Sequence, residues 1–278
     1  GICHVLRYHP YFAKIREIVD SGELGQIISV NHVAAVGIDR TTHSYVRGPW
    51  RREETSNPML LAKCCHDVDF LLWITRSPCR KLSSFGSLRW FRAANAPQTS
   101  AERCIDCPVE HDCPYSAVDL YCSTAGRTLD EVLLEELHHG PYGRCIYRCD
   151  NDVVDHQLLT MELADETILS LSMDIFTQDD CRRTHIKMTH GEIFGDERKL
   201  HVHRFRRGHN RVYDFEELAG HPFHAGADLR LIEDFVDALT RPGHPFLCTI
   251  EDSIESHRIC FEAERSRLTG QTVTLEER

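Results

Sequence analysis

Between Lys63 and Asp69 the chain gathers an ammonium, an imidazole and two carboxylates inside the otherwise apolar run Leu61-Ala-Lys-Cys-Cys-His-Asp-Val-Asp-Phe-Leu-Leu-Trp73. Read as a helix, Lys63, His66 and Asp67 share one stripe, with leucines and a tryptophan on the other, because residues three and four apart are surface neighbours. Such groups cost stability on an apolar helix unless they are paired or used. The chemistry they suit is acid–base. An imidazole of unperturbed pKa about 6.5 takes up a proton near neutrality. A neighbouring lysine lowers that pKa and can stabilise an oxygen that is gaining negative charge, while Asp67 or Asp69 can orient the ring. The plainer readings are an exposed helix start with an incidental histidine and, for Asp69, a helix-packing hydrogen bond.

Three further groups carry chemistry. Tyr45, Arg47 and Trp50 combine an aromatic wall with a cation, a way of gripping polyols and acidic sugars; the alternative is a surface loop pinned by one salt bridge. Asp155, His156 and Gln157 open a strand, so Asp155 and Gln157 share one face and His156 takes the other. Mixed donors and acceptors of this kind bind hydroxyl-rich ligands, and strand ends are also ordinarily polar. The third group is Cys104, Cys107 and Cys113 with His111 between them, a Cys-x-x-Cys knuckle followed by a third thiol. These suit tetrahedral zinc, which needs four N or S ligands. The spacing leaves the fourth position open between His111, Cys122, Cys145 and Cys149. Reduced structural thiols or a redox pair are the competing readings.

The elements that must position these residues follow from the pattern. A helix is expected from about His9 to Ser21, a strand over 26–36 and a helix from about Pro58, favourable in a first turn, to Thr75. A strand lies near 80–91, then a long irregular segment with short helices near 114–121 and 129–138. Strands follow over 157–163, 167–176, 184–189 and 199–205, with Gly191 and Gly195 read as turns, and helices near 228–239 and 251–269 close the chain. Short strands joined by turns at this spacing indicate an antiparallel sheet, and helices grouped before and after one sheet make an α+β layout. No Gly-x-Gly-x-x-Gly loop lies between a strand and a helix, so no dinucleotide fingerprint is present.

Bulk properties narrow the class. The chain has 278 residues, 41% hydrophobic and 27% charged, and a net charge of −11. That charge argues against nucleic acid as the main partner, and the cluster Arg204, Arg206, Arg207 and Arg211 reads as a solvated loop or hairpin. The apolar runs fall short of the roughly 18–20 residues that span a bilayer. No export signal is visible, so the thirteen cysteines read mostly as reduced thiols and the expected location is cytoplasmic.

Taken in order, Val5-Leu-Arg-Tyr-His-Pro10, Asp20-Ser-Gly-Glu-Leu-Gly25, His43-Ser-Tyr-Val-Arg-Gly48, the Lys63–Asp69 helix, Gly191-Glu-Ile193 and the His224–Asp228 segment resemble the Gfo/Idh/MocA oxidoreductase family, over residues 2 to 275. That resemblance implies a Rossmann domain binding NAD or NADP, followed by a domain that shapes the substrate pocket and forms oligomers. The chain looks like the second part only. Residues 1–8 are expected to be the tail of an absent Rossmann domain and 9–278 the substrate-binding and oligomerisation domain, with a Cys-rich insertion at about 92–149. The implied fold is α+β: a large, mainly antiparallel open sheet with helices packed on one face, like the C-terminal domain of dihydrodipicolinate reductase.

The family pattern Asp-x-Gly-x-His-x-x-Asp falls on Ala62, Cys64, His66 and Asp69. His66 therefore matches an acid–base histidine, and Lys63 stands ready for the role that Ala62 vacates. Oxidising a secondary alcohol requires loss of the hydroxyl proton as hydride leaves, and His66 suits that step. The resemblance implies a sugar, inositol or related polyol as substrate, contacted by Tyr45, Arg47, Trp50, Asp155 and His156. It puts Arg7 and Tyr8 at the junction with the cofactor, and His224 and Asp228 at the pocket or the start of the next helix. It further implies NAD or NADP bound mainly by the absent domain, an inactive chain in isolation, and a homodimer or homotetramer through the open sheet. The alternatives are an NAD-dependent glycosidase of the same superfamily and a non-catalytic ligand-binding or oligomerisation module.

Overall fold

The computed structural model describes residues 2–124, 128–206, 210–218 and 222–276; Arg207 of the basic cluster lies outside them. Among the described residues, seven α-helices and nine strands run α1 (Pro10–Asp20), β1 (Ile27–Ala35), α2 (Ile38–Thr41), α3 (Met59–Thr75), β2 (Cys79–Ser87), α4 (Ala117–Asp119), α5 (Glu131–His139), β3 (His156–Leu163), β4 (Ile168–Asp174), β5 (Arg182–Met188), β6 (Gly191–Gly195), β7 (Lys199–Arg204), β8 (Arg211–Asp214), α6 (Pro222–Thr240), α7 (Ile250–Thr269) and β9 (Val273–Thr274). The strands form one sheet in the order β8-β7-β6-β5-β1-β4-β3-β2-β9. Every described pairing is antiparallel except β1 with β4. The expected α+β fold with a mainly antiparallel open sheet is the observed one.

Alternation sets which face is covered. In β3, Gln157, Leu159, Met161 and Leu163 are buried, while Leu158 and Thr160 are exposed. Helices α3 and α7 pack together over the covered face, against β1, β4 and β2. The opposite face leaves Phe85, Leu158 and Ile168 in solvent. Helix α1 starts at Pro10 with His9 as its cap, Nδ1 accepting the Tyr11 N–H, and buries Tyr11, Phe12, Ile15 and Ile18 along one stripe. Helix α7 is closed by a Thr249/Asp252 capping box and by Gly270 in the left-handed region. Among the described residues no helix is long and apolar enough to cross a membrane.

Several boundaries differ from expectation. Gly191 and Gly195 are not turns but the two ends of β6. A Cβ at Gly195 would lie 2.0 Å from the Lys199 carbonyl oxygen, and one at Gly191 2.2 Å from that of His203. Glycine here admits the close approach of β7. Val5–Tyr8 is a 3₁₀ turn. The strand expected to reach residue 91 stops at Ser87, because the Asp155 carboxylate takes the Arg89 and Trp90 N–H groups and folds the chain into a loop. The described residues of 92–149 form short helices joined by turns and loops, with a small core of Cys104, Ala117, Leu133 and Leu137.

Candidate functional site

A cleft of ≈ 480 Å³ opens where α3, the start of β5, the β6–β7 turn and the segment after α2 meet. That size suits a small-molecule ligand. Lys63 and His66 reach it from α3, Asp180 and Arg182 from the entry to β5, and Tyr45 and Trp50 from the π-helical turn Thr42–Arg47 and its exit. The Tyr45 and Trp50 rings lie 5.6 Å apart and form its aromatic wall.

Beneath the cleft is a buried charge network centred on Asp67. Because β1 turns Val30, His32 and Ala34 to the helices, His32 points at α3, and its Nε2 lies 3.0 Å from Asp67 Oδ1. The other ring nitrogen of His32 lies 2.9 Å from the hydroxyl of Thr184, its partner across β5. Arg182 donates from Nε to the same Asp67 oxygen at 2.5 Å and from Nη2 to His66 Nε2 at 2.7 Å. Glu197 holds Arg182 in turn, accepting its backbone N–H at 2.6 Å. Asp67 Oδ2 has no hydrogen-bond partner but stands 3.2 Å from His66 Nε2.

The electrostatics follow from this packing. Burial alone would raise the Asp67 carboxyl, but Arg182, His66 and the His32 hydrogen bond hold it well below the usual carboxylate range. Burial lowers His66, with Arg182 and Lys63 acting in the same direction and Asp67 opposing, so the ring is neutral at pH 7. Lys63 is also lowered by burial, and its Nζ is 3.6 Å from Asp180 Oδ1. Burial and Asp67 thus leave one buried anion beneath a neutral imidazole and a softened ammonium.

Of the residues expected at the site, His66, Lys63, Tyr45 and Trp50 share this cleft, and His224 also lines it, bonded to Asp228. Arg47 does not: it is fully buried on the far side of its turn, where a π-helical twist points it at the cysteine segment. Asp155 is buried capping the loop after β2, and His156 is bonded to it and lies outside the cleft lining. Arg7 and Tyr8 are engaged within the fold. Arg7 grips Asp69 through two bonds of 2.9 and 2.7 Å and also meets Asp252, while the Tyr8 hydroxyl donates to Asp234. Asp69 is therefore the packing partner that its plainer reading expected.

Cys104, Cys107 and Cys113 line one small cavity together with Cys145. His111 does not join them: it sits on the 3₁₀ turn Glu110–Asp112, 97% exposed, beside Glu110. All thirteen cysteines are free, and among the described residues no three or more His, Cys, Asp or Glu side chains are grouped, as they stand, so as to hold a metal ion.

Residues that sequence reasoning passed over supply half the site: His9, His32, Asp180, Arg182 and Glu197. A signal existed for three of them. His32 interrupts the β run Ile27–Ala35 on its buried parity, and Asp179-Asp-Cys-Arg-Arg183 concentrates charge at a strand entry. Glu197 lies on a turn with φ of 70° and carries no mark in the sequence.

Residues 12–194 match the family described as GFO/IDH/MocA C-terminal domain. No curated protein sequence matches the chain. Among solved structures, levoglucosan dehydrogenase in complex with NADH and levoglucosan aligns with a TM-score of 0.67 at 12% identity, over 98% of this chain and 65% of its own. Scyllo-inositol dehydrogenase from Lactobacillus casei, with bound NAD(H) and scyllo-inositol, gives 0.59 at 14% identity, over 99% and 64%. A super-repressor mutant of Gal80p from Saccharomyces cerevisiae gives 0.64 at 15% identity, over 98% and 64%. At these identities the likeness is one of fold, and the chain spans less than two thirds of each of these proteins.

Proposed function

The chain belongs to the GFO/IDH/MocA family, and from that premise we infer that it is the substrate-binding part of an NAD(P)-dependent oxidoreductase acting on a sugar, inositol or related polyol. The described residues do not themselves fit a dinucleotide: Arg7 and Tyr8 are spent on Asp69, Asp252 and Asp234. About a third of each dehydrogenase above has no counterpart in this sequence, and the dinucleotide is assigned to such a part. What this chain contributes is the proton half of alcohol oxidation.

The observation that carries this reading is the orphaned Asp67 Oδ2 beside His66 Nε2 at the base of a cleft. For Nδ1 to act as the base, the ring proton sits on Nε2, directed to Asp67, and Arg182 Nη2 turns away from its 2.7 Å contact with that nitrogen; Nδ1 makes no hydrogen bond to the described residues. A substrate hydroxyl bound there gives its proton to Nδ1, and the resulting imidazolium is stabilised by the buried carboxylate. Lys63 donates to the substrate oxygen as negative charge develops. Trp50 and Tyr45 cover the C–H face of the ring, and Asp180 accepts from a neighbouring hydroxyl. The exposed apolar side chains Phe85, Leu158 and Ile168 on the open sheet face are the surface through which two copies pair.

A second reading rests on the 2.7 Å contact between Arg182 Nη2 and His66 Nε2. An arginine always donates, so that contact fixes the proton on Nδ1 and makes His66 a hydrogen-bond donor to a ligand oxygen. The chain would then be a non-catalytic ligand-binding module.

Ligand binding tests the shared core of both readings. Inositols, aldohexoses and anhydrosugars are screened by thermal unfolding. A cognate ligand at about 100 times its Kd stabilises by about 2.7 kcal/mol, a rise of several degrees, and Lys63→Ala and Trp50→Ala abolish it. A panel that leaves Tm unchanged throughout contradicts the polyol assignment.

A further inference from the structure

We propose that Cys104, Cys107, Cys113 and Cys145 are the four ligands of one zinc ion, held against the buried guanidinium of Arg47. This site is separate from the cleft and does not depend on the reading of His66.

The chain brings the four thiols to one point by three local devices. The Cys-x-x-Cys turn is closed by the Cys107 N–H donating to the Cys104 carbonyl at 3.1 Å. Cys113 follows the turn Glu110–Asp112, its N–H bonded to Glu110 O. Cys145 arrives on a second strand through the antiparallel bridge Arg103↔Arg144, flanked by Cys104 N–H to Gly143 O and Cys145 N–H to Glu102 O, both 2.9 Å. Side chains alternate along that two-stranded ribbon, so Cys104 and Cys145 leave it on the same side. All four line one cavity of ≈ 20 Å³. That space is of the size that holds one water or a single ion.

Arg47 is the independent observation. It lines the same cavity and is fully buried, yet no carboxylate among the described residues pairs with it. Its Nε donates to Arg144 O and its Nη2 to Tyr115 O, both at 2.8 Å, with Cys104 Sγ 3.6 Å from Nη2. Its Nη1 has no partner at all. A buried cation without an anion is strongly disfavoured. Four neutral thiols do not relieve it. Four thiols that bind Zn²⁺ lose four protons and leave a tetrathiolate complex of net charge −2, which supplies the missing anion and sulfur acceptors for Arg47. Among the described residues no such group stands ready for a metal, so binding zinc would draw the four thiols together by side-chain rotation.

The site also reaches the cleft. Arg47 ends the turn Thr42–Arg47 whose Tyr45 forms the cleft wall, and its carbonyl accepts from Arg144 Nη2 at 2.9 Å. Zinc would therefore staple the segment containing Cys104 and Cys145, and with it the back of the aromatic wall.

Elemental analysis of the untagged chain, purified without chelators, tests this. About one zinc per chain is expected, with no acid-labile sulfide. Serine at Cys104, Cys107, Cys113 or Cys145 should bring zinc below half occupancy, whereas His111→Ala and Cys149→Ser retain it. Arg47→Met should weaken zinc binding by about 10–100-fold, as loss of an outer partner does. Co²⁺ exchanged into the wild-type chain should give thiolate-to-metal charge-transfer bands and tetrahedral d–d bands, a readout that does not depend on any variant folding. A chain that purifies metal-free and gains neither stability from added Zn²⁺ nor thiolate bands from Co²⁺ overturns the proposal. Iron with stoichiometric sulfide overturns it, and so does zinc that survives Cys145→Ser but not His111→Ala.

Discussion

Asp67 Oδ2 stands 3.2 Å from His66 Nε2 without a hydrogen bond of its own, while Oδ1 of the same carboxylate takes both His32 and Arg182. One oxygen is committed to the core, and in the proposed base form the other accepts from the imidazole. The position of the ring proton then separates a base from a mere hydrogen-bond donor. With ¹⁵N-labelled histidine, the polyol-bound protein should show His66 carrying its proton on Nε2. A proton fixed on Nδ1 favours the ligand-binding module.

Asp67→Asn removes the anion from a fully buried site and leaves Arg182 facing only Glu197. Breaking one side of a buried pair costs about 3–5 kcal/mol, so the urea midpoint at pH 7 should fall accordingly. A loss under about 1 kcal/mol would mean that Arg182 is not paired there as described.

Arg7 and Asp69 join the 3₁₀ turn Val5–Tyr8 to α3 through two buried bonds. Arg7→Ala and Asp69→Ala should each destabilise by about 3–5 kcal/mol, with a coupling energy of about 1–3 kcal/mol in the double variant. If Arg7 instead contacted cofactor, its replacement would spare unfolding and weaken nicotinamide binding.

His9 gives the pH dependence. Burial, aided by Arg182, lowers its pKa to about 4 in the fold, against about 6.5 when unfolded. Its neutral ring caps α1 through Nδ1. Because the folded value is the lower one, the stability is fully present above pH 6.5 and is lost as the pH falls toward 4. The loss is at most about 3 kcal/mol. His9→Asn keeps a capping side chain and removes the titration, so the stability difference between pH 7 and pH 5 should shrink. An unchanged difference would assign the acid sensitivity to other groups; His4 and His66 are lowered by burial in the same direction.

The readable part of this protein was what lies close along the chain. Periodicity located α1, α3, α7 and most strands, and helical spacing put Lys63 and His66 together because one helix carries both. Arg182 reaches His66 from more than a hundred residues away, with Glu197 holding it in place, through a register that no local pattern encodes. Arg47 was read as a cleft residue because Tyr45 and Trp50 flank it; the π-helical turn sends it the other way, toward the cysteines. His111 was read with the cysteines because it lies among them, whereas a 3₁₀ turn throws it outward and Cys145 comes in from a second strand. Gly191 and Gly195 read as turn residues because sequence does not reveal how closely β7 approaches.

Polyol-dependent nicotinamide reduction by the chain together with the dinucleotide-binding part assigned to it tests the central claim most directly, with wild type compared against His66→Gln. Loss of the base should lower kcat by about 10²–10⁴-fold, while calorimetry finds polyol affinity within about tenfold of wild type. Turnover that survives His66→Gln undiminished would contradict the assignment of proton transfer to this imidazole.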